Sequence, residues 1–384
     1  MIELTALPIG FMRKLAARGR KRRLNPTRVQ VVAAIELTRL GDTLSAVPAI
    51  RGLKRLFPHA MIHLVVDSAH APLLDAMQLG VQVLGVRKPT SAGSLFRTAR
   101  YLRGLRPDVA ASLSPSKRNA FLALSSGSKM RAGYLSHVDT LTPHLEVTPV
   151  EGFGFVPVAR ISYGREGIHD RSAKVLTVMG GQHLLDEEAG PVVLRNEEAL
   201  YRDLLSRRII PEGDYIVIHP FAGWIYRQWD LARFAQLGRT LILEHDVDVV
   251  FLSEEREQGA LQGLSEQFKN EPRARFVSFL DLIQAGVLIR HSSLFIGNDS
   301  GPLHLAALLG VRVVGLFGPA SPELTGPNSS QGEYLYKPVE CSPCAQRACE
   351  RPDESCMTLI GQVEVFEAAG RMLRHSRGPV AANG

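Results

Sequence analysis

Between an apolar run, Leu294-Phe295-Ile296-Gly297, and a helical stretch, Leu303 to Leu309, the chain places Asp299, Ser300, Gly301 and Pro302, with His304 one turn on. A carboxylate, a hydroxyl, an imidazole and free backbone N–H groups at a strand-to-helix turn suit an anionic ligand such as a phosphate. The structural alternative is that Asp299 and Ser300 merely cap the helix. Asp42 stands in a comparable place, after Gly41 and the apolar run Val29 to Leu37. A carboxylate there can take the proton of a hydroxyl nucleophile as a general base, or it can cap the helix that follows. A third turn, His219-Pro220-Phe221-Ala222-Gly223, leads into Trp224-Ile225-Tyr226-Arg227. Gly223 lets a ligand approach the backbone, and Arg227 can set a fixed positive charge on a diphosphate. Arg227 as an ordinary loop arginine is the alternative.

Acidic residues recur at one more strand end. Glu254, Glu255 and Glu257 follow Phe251-Leu252-Ser253, where a carboxylate often binds ribose hydroxyls; solvated glutamates at a helix start are the other reading. Asp246-Val247-Asp248 has the DxD spacing that holds a metal in many glycosyl transfer enzymes. It precedes its strand, at the end away from the ligand edge, and is read as a turn. The four cysteines, Cys341, Cys344, Cys349 and Cys356, fall within one short segment. Such a quartet reads as a thiolate knuckle for a structural zinc or iron ion rather than as two disulfides.

Alternating strands and helices position these groups. In the first half, strands are expected at Val29 to Leu37, Met61 to Val66, Val81 to Val86 and Val109 to Leu113. One helix carries Leu44, Val47, Ile50, Leu53 and Leu56 on a single face, and others lie at residues 72–79 and Leu95 to Leu105. Residues 114–160, rich in Ser, Gly and Pro, read as less regular, and His169 to Leu185 as helical. A second alternation starts at Tyr215 to His219 and runs through Val247 to Leu252 and Ala274 to Val277 to the turn at Asp299. This βα pattern implies two doubly wound parallel-sheet domains, Rossmann-like α/β units whose carboxyl edges face a central cleft. The domains are expected at residues 29–190 for the acceptor and 191–384 for the donor, the latter with the cysteine segment at 341–356 and a C-terminal helix. No GxGxxG follows the first strand, so the dinucleotide fingerprint is absent.

At 384 residues the chain suits two domains, and its 45% hydrophobic and 22% charged residues are those of a globular protein. No apolar run reaches bilayer-spanning length. The net charge of +7 belongs wholly to residues 1–28, where eight basic residues oppose Glu3 alone, so the body is neutral. Ile9, Phe11, Met12 and Leu15 interleave with those charges, as in a short segment that lies on an anionic membrane surface. No basic, aromatic-studded surface follows in the sequence, which argues against a nucleic-acid partner.

With these residues in place, the sequence resembles the ADP-heptose:lipopolysaccharide heptosyltransferases, glycosyltransferase family 9. Asp299 to Pro319 (DSGPLHLAALLGVRVVGLFGP), Leu40 to Pro58 (LGDTLSAVPAIRGLKRLFP) and the CSPCAQRAC…C segment carry the likeness, which covers about residues 29–370. The resemblance implies a GT-B fold and an inverting transfer from ADP-heptose to the lipopolysaccharide core or lipid A, with no metal at the reaction centre. It implies Asp42 as the base, Arg227 where the family usually has a lysine for the leaving diphosphate, Glu257 on the ribose, and Asp299, Ser300, Gly301 and His304 in the donor turn. Three departures stand out: Arg for Lys at 227, Ser253-Glu254 in place of a glycine pair, and the basic leader. The place of work implied is the cytoplasm, peripheral on the inner face of the membrane. A protein O-heptosyltransferase and a catalytically idle nucleotide-sugar-binding scaffold are the rival readings.

Overall fold

Val32-Ala33-Ala34-Ile35 in the first half of the chain and Ile216-Val217-Ile218 in the second are wholly buried. A parallel strand covered on both faces demands such runs. A computed structural model describes residues 25–87, 91–134, 155–156, 167–179, 181, 184, 190–344, 348–351 and 354–374. Residues 1–24 of the basic leader lie outside the described residues.

The chain divides into two units, residues 1–189 and 190–384. In the first, β1 (Val31–Glu36), β2 (Met61–Asp67), β3 (Gln82–Val86), β4 (Val109–Ser112), β5 (Met130–Tyr134) and β6 (Phe155–Val156) form one sheet in the order β3-β2-β1-β4-β5-β6. Every neighbouring pair is parallel. Helices α1 (Leu40–Ser45), α2 (Val47–Leu56), α3 (Ala71–Ala76), α4 (Ala92–Gly104), α5 (Lys117–Ser125) and α6 (Ile168–Val178) connect or flank the strands. Leu95, Ala99 and Leu102 of α4 and Leu122 and Ala123 of α5 pack over Ala33, Ile35, Val65 and Ala110.

The second unit repeats the plan. After α7 (Glu197–Ser206), β7 (Tyr215–His219), β8 (Asp248–Leu252), β9 (Ala274–Val277), β10 (Leu294–Asn298), β11 (Val313–Phe317) and β12 (Gly332–Tyr336) form a sheet in the order β12-β11-β10-β7-β8-β9. Its pairs are likewise all parallel. Helices α8 (Leu231–His245), α9 (Gln258–Ser265), α10 (Leu282–Arg290), α11 (Gly301–Leu308), α12 (Pro322–Thr325) and α13 (Gln362–Arg374) complete it. Phe234, Leu237 and Leu241 of α8 and Val365, Ala368 and Leu373 of α13 share one core with Ile216, Ile218, Ile296, Val314 and Leu316.

The strand order reverses direction between β1 and β4 in the first sheet and between β7 and β10 in the second. Adjacent loops run to opposite faces there and leave a crevice at the carboxyl ends, where such sheets bind ligands. The turns singled out in the sequence follow β1, β7 and β10, so all three open at these crevices.

Two sequence expectations need correction. Residues 114–160, expected to be irregular, contain α5, β5 and β6. Their Ser and Gly content hid a helix whose buried stripe, Ala120, Leu122, Ala123 and Leu124, is short. The single helix expected through residues 44–56 is two, because Pro48 is tolerated in the first turn of α2 but not in a helix interior.

Candidate active site

In the first unit the chain leaves β1 at Glu36, a fully buried carboxylate. Its Oε1 accepts hydrogen bonds from Thr38 Oγ1 and, at 2.9 Å, from Ser114 Oγ beyond β4. Asn119 on α5, also fully buried, accepts from Leu37 N at 3.0 Å and donates to Ser114 Oγ at 3.1 Å. These bonds stitch the loops after β1 and β4 together across the crevice and fix where α1 begins. Asp42 lies in the first turn of α1 and does not cap it; Arg39 holds the N-cap position, with no side-chain cap bond. The neighbouring Thr43 donates to Arg39 O at 3.0 Å and lies 3.4 Å from His70 Nδ1. Asp42 is thus a half-buried carboxylate on a braced turn, near the positive end of a short helix.

In the second unit Asn298 ends β10, fully buried. Its Nδ2 donates to Pro220 O at 2.9 Å, and its Oδ1 accepts from Trp229 N at 3.0 Å. One amide therefore clamps both ends of the loop that carries Gly223 and Arg227. Trp229, itself buried, donates from its indole N–H to Ile360 O at 3.0 Å and meets Phe234 edge-on. Arg227 reaches Asp299, with Nη1 2.9 Å from Oδ2, and the same carboxylate oxygen accepts from Thr325 Oγ1 at 3.0 Å. Asp299 is only 5% exposed and Arg227 21%, so the guanidinium is held by a buried acid and still reaches solvent.

Asp299 thus aims Arg227 and does not cap α11. Ser300 occupies the N-cap position without making a cap bond, and its Oγ is buried with no hydrogen-bond partner. The N–H groups of Gly301 and Leu303 have no intrahelical acceptor, since they belong to the first turn. A helix start whose own cap residue leaves it open is suited to an incoming anion. His304, one turn further, is buried. A Cβ built on Gly223 meets no protein atom within 4 Å, so nothing in the protein itself demands glycine; its side is open.

Glu257 is more committed than its sequence suggests. It ends a 3-10 turn, and its Oε2 accepts from Glu254 N at 3.0 Å in a capping box. Burial raises its pKa, opposed by the hydrogen bond from Glu254 N and by Arg256, while the Glu254 carboxylate adds to the rise. Oε1 lies 3.5 Å from Arg256, so it is the oxygen not used by the cap.

Asn298, Thr325, Glu36, Asn119 and His219 are the site residues that sequence reasoning passed over. For Glu36, His219 and Asn298 the signal was position, a polar residue at the end of an apolar strand; Asn119 and Thr325, on α5 and α12, gave none. His219 ends β7 beside Gly297, and neither of its ring nitrogens makes a well-formed hydrogen bond. Burial drives its pKa down to about 4, so the ring is neutral at pH 7.

Asp246 and Asp248 are both held by Arg273, at 2.7 and 3.0 Å. They line a cavity of about 560 Å³ at the amino ends of β7 to β9, opposite the crevice. The turn reading of the DxD therefore holds.

The cysteine segment docks on the end of the Asp299 to Pro319 motif. Cys344 N donates to Pro319 O at 2.9 Å, and a Cβ on Gly318 would sit 2.4 Å from Met357 Sδ and 2.9 Å from Cys356 Sγ. All four cysteines carry free thiols. The Cys356 thiol is pushed up to about 11, first by burial and then by Cys344, Cys349 and Cys341. Among the described residues the thiols do not stand as a preformed three-ligand cage. Their chemistry fits a thiophilic ion, and binding one requires that they draw together.

Two outcomes follow from this geometry. Asn298→Ala should cost about 2–4 kcal/mol, because it strands Trp229 N and Pro220 O in the interior; urea unfolding checks it. His219 binds a proton in the unfolded chain below about pH 6.5 but in the folded one only below about pH 4. Stability should therefore fall as pH drops through that window, by about 3 kcal/mol at most, and His219→Phe should flatten that fall. A wild-type urea midpoint that is level from pH 6.5 to 4 would contradict it.

Residues 194–353 match the model of glycosyltransferase family 9 (heptosyltransferase). Lipooligosaccharide heptosyltransferase 2 of Campylobacter jejuni is 28% identical over 154 residues, which is 39% of this chain and about half (48%) of that protein's length. Lipopolysaccharide heptosyltransferase 3 of Escherichia coli is 22% identical over 88% of this chain and 97% of its own. The solved structure of E. coli ADP-heptose LPS heptosyltransferase II superposes with a TM-score of 0.71 at 20% identity, over 91% of this chain and all of that one. The two doubly wound sheets are thus the Rossmann-like pair of a GT-B fold, and residues 194–353, within the second unit, are similar to the heptosyltransferases of glycosyltransferase family 9.

Proposed function

We propose that the protein transfers a heptose, with inversion, from ADP-heptose to the inner core of lipopolysaccharide. The Asp299–Arg227 pair beside the uncapped start of α11 carries this reading, because it places a fixed cation and open N–H donors at the crevice of the second unit. In the reaction the acceptor hydroxyl gives its proton to Asp42 as its oxygen attacks the anomeric carbon. The bond from that carbon to the diphosphate oxygen breaks, and its electron pair leaves with ADP. Negative charge grows on the departing diphosphate, and Arg227 with the α11 N-terminus stabilises it. This division needs no metal at the reaction centre, and Arg273 already neutralises the DxD carboxylates. The acceptor binds to the first unit and the nucleotide to the second, with Glu257 at the ribose. The enzyme acts in the cytoplasm, peripheral on the inner face of the membrane that displays its lipid A-linked acceptor, and the basic leader supports that placement.

Cys341, Cys344, Cys349 and Cys356 would hold a structural zinc or iron ion, which would take no part in transfer. That docked segment also favours a second reading, a protein O-heptosyltransferase, which turnover with a protein acceptor in place of lipopolysaccharide would distinguish.

ADP should raise the thermal midpoint more than equal concentrations of UDP, GDP or CMP; preference for another base discards ADP-heptose. Asp42→Asn should retain ADP binding while turnover falls at least about a hundredfold, and full activity would remove Asp42 as base. Elemental analysis of protein purified without added metal should find zinc or iron near one per chain.

A further inference from the structure

Helix α4 buries one stripe, Leu95, Thr98, Ala99 and Leu102, against the first sheet and leaves the opposite face to solvent. That outer face carries Phe96, Arg97, Arg100, Tyr101 and Arg103, with Arg106 just beyond the helix end, all of them exposed, which corrects the expectation that no basic, aromatic-studded surface follows residues 1–28. Phe96 is 62% exposed and Tyr101 47%, unusual for two aromatics on one short helix. The helix contains no acidic residue. Among the described residues none of these arginines is in an ion pair. In the second unit, by contrast, surface arginines are matched with carboxylates, as in Arg202–Glu198, Arg207–Asp203 and Arg371–Glu333. Arg103 even stands close enough to the half-buried Arg131 to add to the lowering of its pKa, after burial. Cations left to repel one another, interleaved with exposed rings on a convex helix, call for an anionic partner that is broad and has an apolar interior.

We infer that the outer face of α4 is a docking surface for an anionic lipid bilayer, with Arg97, Arg100 and Arg103 on headgroup phosphates and Phe96 and Tyr101 at the acyl boundary. The α4 face is separate from residues 1–28 and gives the first unit its own contact with the membrane. The inference rests on the proposed function only in taking a membrane-borne acceptor as the reason for docking. Phe96 leans edge-on against Phe121, at 5.5 Å between ring centroids, which steadies the ring without burying it. A flat partner suits this surface better than a nucleic acid, because the convex face offers no groove to track a strand.

Phe96→Trp in the full-length protein places a reporter on the face, with wild type controlling for Trp224 and Trp229. On vesicles of phosphatidylcholine with phosphatidylglycerol, brominated acyl chains should quench emission in the variant and not in wild type. On pure phosphatidylcholine the extra quenching should vanish. Arg97→Gln with Arg100→Gln and Arg103→Gln should weaken binding to anionic vesicles on the order of tenfold or more. Both variants should keep turnover of a soluble acceptor fragment, so failure here stays separate from failure of the transfer reaction. No added quenching on anionic vesicles that do sediment the protein overturns the inference, as does equal quenching on neutral ones. Emission from the introduced indole that shifts with single-stranded RNA and not with vesicles would assign the face to nucleic acid instead.

Discussion

A doubly wound sheet binds its ligand where the strand order reverses, and at that place the backbone comes apart. Loops on either side of the switch point leave in opposite directions, so no ladder of hydrogen bonds holds them together. Both units meet this constraint in the same way, with a buried asparagine. Asn119 joins the loop after β1 to the loop after β4, and Asn298 joins both ends of the loop after β7 to the end of β10. A carboxamide suits the task because it offers donors and an acceptor in one plane without a charge to desolvate. The positions of Asp42 and Arg227 both depend on it.

Electrostatics at the second crevice then follow from burial. Asp299, nearly inaccessible, keeps its charge because Arg227 and Thr325 satisfy it, and in return it takes the freedom from the arginine side chain. Removing one member of such a pair leaves a buried charge uncompensated. An arginine so oriented can meet a diphosphate with little further loss of side-chain entropy. His219 lies at the other extreme, buried without a good partner and therefore neutral. The Arg227–Asp299 pair is neutral overall, so the donors for an anionic ligand are the exposed edge of the guanidinium and the open N–H groups of α11.

Around this centre the second unit is closed by residues from far along the chain. Ile360 O receives both the Trp229 indole N–H and the Arg233 guanidinium, so the end of the cysteine segment braces the loop that carries Arg227. The thiols thereby influence the donor edge through packing alone. The first unit differs in carrying a run of exposed arginines on α4.

Residue order alone determined a good deal. The apolar run Tyr215 to His219 became β7 without change, since a strand buried on both faces is apolar almost throughout and is written locally. The strand-to-turn placement of Asp42, Arg227 and Asp299 was legible for the same reason. Tertiary structure alone decided what those side chains do. Asp42 and Asp299, each readable as a helix cap, cap nothing, because Arg39 and Ser300 take those positions and Arg227 takes the Asp299 carboxylate. Glu257, read as a ribose ligand, first closes its own turn. Asn119 gave no signal and Asn298 only that of ending an apolar strand, since their partners are distant in sequence or in another loop. Hydrophobic period is a property of neighbours along the chain, whereas a buried polar atom takes its role from whichever donor or acceptor the fold brings within about 3 Å.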